Sequence, residues 1–598
     1  MGTLSLVALD TDHIKRYVFA TDKLKEIRGA SSLLDHLNRH VMLQIAVDPA
    51  FRAQPVFTNG GSGLFLLDTA VARAFALRIQ QAYQRETMGG ASITFAIQEL
   101  PEEIQNTEEA WRVDLSKQLQ LLRYRLAEKK LSWLAERTEP GGEEIAKRLE
   151  LDDCAAFASH PFMRSCDACG LYYAEGRDRH EPPDEAALDH LYCAVCLAKR
   201  EEDSTIKNGI DDLIAYRRAW LSALGDKSIK AGFDGFIAQR RKPGAPKMPF
   251  AWQEVLKNLP PQYSIPSGTE RPGDFNELRG MAVGAREYLA VIYADGNNMG
   301  QMLEQIPTLN QLKETAFSID QAIYTSIGSA IGQYLHIQAE EGRTPLFPFD
   351  LLLVGGDDLM IVTPADKVLD VALAIAREFQ AATRERDPKK KGYSLSVGVV
   401  LAPVKYPFGL LQKQVDETLQ YAKKAAENRR VSTKYGETFI NFMTVTGSTN
   451  QDFEEVYHAL HRIEKHETFY GSLRPYTVEG LELLLKKIRE GRQQELGRSK
   501  LHQVREAVLK MNMTTSVYEG LIALRTWQPK KRDFVTRQVY EFAALYQQSR
   551  FNREQPGTLF PRVTFPWFVD GPRTYRTPLL DFVELYDFVA GEERADEN

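Results

Sequence analysis

The chain has no apolar run near the roughly 20 residues needed to cross a bilayer. Its N-terminus lacks a charged stretch followed by a hydrophobic core and a small-residue cleavage site. These two absences predict a soluble, cytoplasmic chain with no membrane partner. An excess of positive charge is also missing: the formal net charge is −6, which argues against a free-standing nucleic-acid binder acting by bulk charge. Basic clusters exist at Arg240–Lys242, Lys389–Lys391 and Lys530–Arg532. Each lies beside Pro or Gly and reads as an exposed loop; solvation is the simpler role, RNA contact within an assembly the other. At 598 residues, length suggests about three to five domains.

Cysteine is scarce, with five in the chain, yet four fall into two pairs. Cys166 and Cys169 form CDAC, Cys193 and Cys196 form CAVC, and roughly twenty residues separate them, the spacing of a tetrahedral zinc ribbon. The segment between is charged and contains proline, too polar to build its own core, so a metal would supply folding energy that apolar burial does not. A closed four-thiolate shell leaves no open position, which makes the expected zinc structural. A loop with four free thiols is the bland alternative. Cys154 is left over as a free thiol, and His180 and His190 are substitute ligands that four cysteines make unnecessary.

The most informative stretch is Leu351–Val362, LLLVGGDDLMIV. Short apolar runs around two glycines and two aspartates predict a hairpin in a buried sheet. Gly355 and Gly356 permit a tight turn and close approach of a nucleotide. Asp357 and Asp358 place two carboxylates at its tip, where they repel unless a cation neutralises them; hard oxygen ligands suit Mg²⁺. Upstream, YLAVIYADGNNMG predicts a strand ending in Asp295. A strand-end carboxylate facing an acidic hairpin is the arrangement of a two-metal nucleotidyl-transfer centre, holding Mg²⁺ or Mn²⁺; an ordinary acidic turn is the alternative. Downstream come a buried strand at Tyr393–Leu401 and a helix over Leu410–Asn428, from which Lys423 and Lys424 can reach triphosphate oxygens as point charges or lie on a solvated face.

The N-terminal part repeats this order. LSLVALD is a strand ending in Asp10, PVFTNGGSGLFLL is a Gly-Gly hairpin, Ala91–Leu100 matches Ser394–Pro403, and the helix around Leu121–Lys130 matches that around Leu419–Asn428. In this alignment Ser62 and Gly63 stand where Asp357 and Asp358 stand. The first copy has lost the acidic pair and should not run two-metal chemistry alone; Asp10 and Asp12 remain in structural or ligand-positioning roles.

Paired palm modules, GGSG then GGDD, with a cysteine cluster between them and a helical C-terminus, resemble the large subunit of type III CRISPR effector complexes. The segment KLKEIRGASSLLD resembles the part that follows the first strand of that family's first palm. A weaker resemblance to GGDEF nucleotide cyclases does not account for the first module or the cysteines. The family resemblance implies an α+β chain of two ferredoxin-like palms, with an inserted zinc ribbon and a helical C-terminal domain. It implies an ATP-dependent cyclic oligoadenylate synthase, active on target RNA binding beside guide CRISPR RNA and other effector subunits, among them a small helical one. Carried over by motif, Asp295, Asp357 and Asp358 are the catalytic metal carboxylates. Gly355 and Gly356 shape the turn beneath one nucleotide, with Lys423 and Lys424 near its phosphates, and Gly60, Gly61 and Ser62 border a second nucleotide. Many members begin with an HD nuclease domain. Here the first strand starts at Leu4 and no His-Asp dipeptide occurs, so no HD-type DNase activity is expected. The N-terminal segment leans towards the Cmr-like type. A catalytically idle scaffold and a CRISPR-independent cyclase are the other readings.

The expected domains are a degenerate palm over 1–145, a zinc insert over 146–205, a helical linker over 206–285, a GGDD palm over 286–450 and a helical region over 451–598. In the last, Phe453–Ile463, Val478–Arg489, Leu501–Met511 and Val517–Arg525 carry helical apolar spacing, and Glu592–Asn598 is an acidic tail expected to be disordered.

Overall fold

The computed structural model describes residues 3–104, 106–136, 164–180, 190–207, 214–215, 217, 250–279, 287–338, 342–387, 391–433, 436–446, 453–464, 467–551 and 562–589. Cys154, Arg240–Lys242, Lys389 and the acidic tail lie outside them.

The first sheet contains β1 (Leu4–Asp12), β2 (Gln54–Asn59), β3 (Ser62–Asp68) and β4 (Ser92–Glu99) in the order β2-β3-β1-β4. Its two crossover helices are Leu24–His36 and Thr69–Glu86, which makes a βαββαβ module with every pairing antiparallel. The second sheet repeats it with β5 (Tyr288–Gly296), β6 (Asp350–Gly355), β7 (Asp358–Pro364) and β8 (Leu395–Pro403), crossed over by helices Leu309–Tyr334 and Val368–Thr383. It is extended beyond β8 by β9 (Phe439–Thr444) and the short strand Tyr476–Thr477. The central strands have alternating side chains that are apolar on both faces. On β5, Ala290, Ile292 and Ala294 join the core beneath the second module's helices, while Leu289, Val291 and Tyr293 face the other way.

That other face decides the architecture. Leu289, Val291, Tyr293, Met360 and Val400 share one apolar cluster with Val7, Leu9, Phe65 and Ile27 of the first module and with Cys166, Cys193 and Cys196. Packing is reciprocal: helix Leu24–His36 lies on β6, and helix Leu309–Tyr334 lies on β2.

The register corrects one alignment. Asn59 pairs with Ser62 across Gly60–Gly61, and Gly355 pairs with Asp358 across Gly356–Asp357. Gly61 and Ser62, not Ser62 and Gly63, therefore occupy the places of Asp357 and Asp358. The two-residue turn sets the register, and identical glycines in the string hide a one-residue slip. The β4–β8 match also shifts by one, in the opposite sense, Thr94 and Ser396 both lying opposite the strand-end aspartates.

The insert's helix Ala194–Lys207 is tied to both modules. Arg28 donates to both carboxylate oxygens of Asp203 at 2.9 and 3.1 Å, to Asp350 at the start of β6 at 3.1 Å, and to the Pro272 carbonyl at 2.7 Å. Arg200 bonds Glu26 and Asp178. The C-terminal region is mostly helical but adds a small sheet. Helix Phe453–Ala459 stops where a strand begins at His461, which corrects the helical expectation for Phe453–Ile463, and that strand joins Glu467–Tyr470 and three strands from residues 563–576. A short local hairpin with Glu467–Tyr470 ends the helix, and only Glu467–Tyr470 pairs at long range, with Thr574–Arg576. Lys530–Arg532 opens helix Pro529–Phe551 instead of a loop, since proline suits the first helical turn. Among the described residues no helix is long and apolar enough to cross a membrane.

A Cβ added to Gly29 would lie 1.7 Å from the Lys199 carbonyl oxygen. Backbone on both sides leaves no flexible atom to yield. Gly29→Ala is expected to destabilise the chain by about 2–4 kcal/mol, read as a fall in thermal midpoint; a parental midpoint would contradict this helix packing.

Candidate active site and zinc ribbon

The two Gly hairpins meet tip to tip. A Cβ on Gly60 would lie 3.3 Å from the Gly355 carbonyl oxygen and 3.5 Å from Gly356 Cα. Gly60, Gly61 and Gly356 have φ of 58°, 81° and 66°, the left-handed region primed hairpin turns require. Asp357 packs on the end of β5, where a Cβ on Gly296 would sit 2.5 Å from its Oδ2. The structure thus brings Asp357 and Asp358 beside Asp295, at the seam between the modules.

The three carboxylates do not close into one shell. Asp295 instead accepts from Lys423, on helix Phe408–Thr433. Among the described residues, only the four cysteines bring three or more metal-type ligand atoms within 4.8 Å of one another. The acidic pair remains poorly compensated. Burial pushes the Asp357 carboxyl up to about 7, with Asp295 adding to it and Lys423 opposing. Burial raises Asp358 well above the usual range, Asp295 and Asp357 add to this, and Lys423 and Lys15 pull it back. Lys15 comes from the first module and lies 4.7 Å over the Tyr293 ring. Asp358 Oδ1 is buried with no hydrogen-bond partner. An orphaned acceptor among like charges fits a divalent cation.

The first module's acids are satisfied by the chain itself. Asp10 accepts from Ser62 at 2.9 Å and Lys130 at 2.6 Å, and Asp12 from Ser92 and Thr94 at 3.0 and 2.9 Å. Lys130 escaped the sequence reading because only the three-dimensional path of its helix brings it to Asp10. Lys424 is exposed and lies 4.9 Å from the Tyr421 ring. With Lys423 it lines a cavity of about 1100 Å³ that also takes in Gly296, Asn297 and Arg430. Asn297 is pinned in place by Ser396, which donates to it, and by its own bond to Ser394.

Cys166, Cys169, Cys193 and Cys196 gather as their spacing predicts. Gly170, at φ 65°, closes the first knuckle by donating to the Cys166 carbonyl. Cys169 and Cys193 sulfurs lie 3.8 Å apart, the edge length of a tetrahedron with bonds of about 2.3 Å. Hydrogen bonds from Cys169, then Cys193 and Cys196, hold the Cys166 thiol far below its ordinary value. These four residues could hold a zinc ion. Neither His180, paired with Glu201, nor His190 joins the group.

A pair of βαββαβ modules with an acidic turn at their seam is a palm pair of the nucleotide-polymerase and cyclase type. Residues 288–432 match the family model of the Cas10/Cmr2 second palm domain. Over 145 residues the chain is 26% identical to the CRISPR system Cmr subunit Cmr2 of Pyrococcus furiosus, covering 22% of this chain and 16% of that protein. A solved Csm1–Csm4 cassette in complex with pppApApA matches at TM-score 0.50 and 15% identity, over 89% of this chain and 65% of that chain. The cassette in complex with cA4 matches at TM-score 0.49 and 16% identity, over 86% and 64%. This chain spans under two thirds of the length of those structures' chains. The second module is a Cas10/Cmr2 palm, and the chain as a whole shares the fold of the Csm1–Csm4 cassette.

Two outcomes follow from this geometry. Because its folded-state pKa is raised, Asp357 binds its proton more tightly in the folded chain, so ionisation weakens the fold as pH rises from the ordinary carboxylate range through about 7. Without divalent cations, Asp357→Asn should therefore melt above the parent at about pH 8, the gain vanishing near about pH 4; an unchanged or lower midpoint at the higher pH would contradict the burial. Metal analysis should find one zinc per chain, reduced by Cys196→Ser together with the melting temperature; a metal-free parent would refute the ribbon.

Proposed function

We propose that this chain is the large subunit of an RNA-guided type III effector and converts ATP into cyclic oligoadenylates at the second palm. The reading is carried by one observation: half-buried, under-compensated Asp357 and Asp358 beside Asp295 at the palm–palm seam, next to a basic cavity of the second palm. Two Mg²⁺ or Mn²⁺ ions, when bound, supply an activated 3′-hydroxyl and charge stabilisation for departing pyrophosphate. The chain's own residues bind and orient. Asp357, Asp358 and Asp295 are the groups that would hold the cations. Lys423, released from Asp295, and Lys424 would contact phosphate oxygens. Gly355 and Gly356 let a nucleotide approach the backbone, and Gly60, Gly61 and Ser62 border a second nucleotide across the seam. Adenine as the base is supported by the pppApApA in complex with a similarly folded cassette. The pairing of Csm1 with Csm4 in that cassette supports work inside a multi-subunit assembly. Guide and target RNA and a small helical subunit come from the family resemblance, as does activation by RNA, which would shift the palms towards a competent arrangement. Within the described residues no HD-type nuclease site is part of this reading.

One observation favours an idle scaffold: Asp295 is already neutralised by Lys423. The decisive experiment incubates the assembled complex with ATP, Mn²⁺ and target RNA and analyses products by mass. Asp357→Ala/Asp358→Ala should abolish the oligoadenylate and pyrophosphate release, with assembly and RNA binding kept. Parental pyrophosphate release by the double variant would remove the assignment, and a parent that makes no product would favour the scaffold.

A further inference from the structure

We propose that Arg39 of the first palm and Asp320 of the second form a positioning pair that holds the Gly356–Asp357 turn and makes its geometry depend on palm docking. This rests on the reading of Asp357 and Asp358 as the working carboxylates. Asp320, on helix Leu309–Tyr334, is 4% exposed. Its Oδ1 lies 3.3 Å from the Gly356 backbone nitrogen, which donates to it. The same carboxylate receives both terminal nitrogens of Arg39, at 2.9 and 2.7 Å. A bidentate fork fixes the plane of the acceptor as well as its charge, so Oδ1, which accepts one arm of the fork and the Gly356 amide together, is held in direction.

Arg39 is itself constrained on every side. Its Nε donates to Asp35 at 2.8 Å, a terminal nitrogen donates to the Tyr324 hydroxyl at 3.1 Å, and its guanidinium lies 4.2 Å over the Phe250 ring. It sits in a π-helical turn, Leu37–Val41, directly after helix Leu24–His36. Such turns widen a helix locally, re-aim a side chain and recur at functional sites. Asp35 and Asp320 stand at equal sequence distances from the strand-end aspartates Asp10 and Asp295, so Arg39 bridges equivalent positions of the two copies. A buried ion pair is a poor device for stability alone, because apolar residues of similar size do as well. A pair that also bonds the backbone beneath the acidic turn does something apolar residues would not. Rotation or sliding of one palm against the other moves Arg39, and Asp320 passes the displacement to the Gly356 amide.

The test uses Arg39→Lys and Asp320→Asn in the assembled complex. Lysine keeps the charge and loses the fork; asparagine keeps an acceptor for Gly356 and loses the ion pair. With target RNA and Mn²⁺, kcat for oligoadenylate formation should fall about tenfold or more, the loss expected for roughly one charge-assisted hydrogen bond. KM for ATP should stay within about twofold, since neither residue lines the nucleotide cavity. Hydrogen exchange should quicken at the Gly356 amide and its neighbours while the other strands of both palms keep their protection. Asp357→Ala/Asp358→Ala runs alongside: if it retains activity, the proposed function fails first. If it is inactive while both single variants keep parental kcat and Gly356 protection, the positioning role is overturned. Faster exchange spread evenly over both palms would also overturn it, in favour of a purely structural pair.

Discussion

The contact on which the rest of the chain depends has no side chains in it. Gly60 of one hairpin rests on the backbone of Gly355 and Gly356 of the other. Two sheets can approach this closely at their tips only where Cβ atoms are absent and where a positive φ turns the chain back within two residues. Everything useful then lies at the rim of that contact. The acidic residues that follow the glycines are brought to the edge of β5, and the cavity containing Lys423 and Arg430 opens next to them. A common apolar cluster drawn from both modules and the cysteine knuckles keeps the tips pressed together.

Duplication followed by divergence explains the charge distribution. In both copies a lysine from the last helix of the module reaches the strand-end aspartate, Lys130 to Asp10 and Lys423 to Asp295. Around the first pair, Ser62, Ser92 and Thr94 complete the hydrogen bonds of Asp10 and Asp12, so that acidic patch is finished by the protein. Around the second, Asp357 and Asp358 add negative charge that burial makes costly and, among the described residues, no hydroxyl relieves. One copy has become a satisfied wall and the other retains an unmet electrostatic demand, the condition under which a bound cation or polyphosphate is favourable.

Much of this was legible in the linear string, for physical reasons. Glycines and aspartates between apolar runs report a hairpin because few other residues tolerate its turn. The strand ending in Asp295 reads plainly because a central strand is apolar on both faces. The cysteine knuckles read plainly because their spacing is set by a ligand sphere. The failures are as instructive. The first hairpin was aligned one residue out because glycine pairs look alike whichever member begins the turn; only strand pairing separates Gly60–Gly61 from Gly61–Ser62. The small C-terminal sheet went unread because its strands are two to five residues long, too short to show a periodicity, and its two hairpins are joined by one pairing across about a hundred residues. Lys130, Lys15, Arg39 and Asp320 are ordinary charged residues on helices, and nothing local distinguishes them from solvated ones.

Arg28 carries a consequence for how the protein came to be assembled. Its guanidinium is almost wholly enclosed and serves a carboxylate from the insert, another from the second palm and a carbonyl from the segment between them. Such a junction ties the cysteine ribbon into the masonry as a keystone. Deleting the insert, or grafting the paired palms elsewhere without it, would strand an arginine inside an apolar wall with half its partners gone. The ribbon is therefore harder to lose in evolution than a surface insertion of the same length.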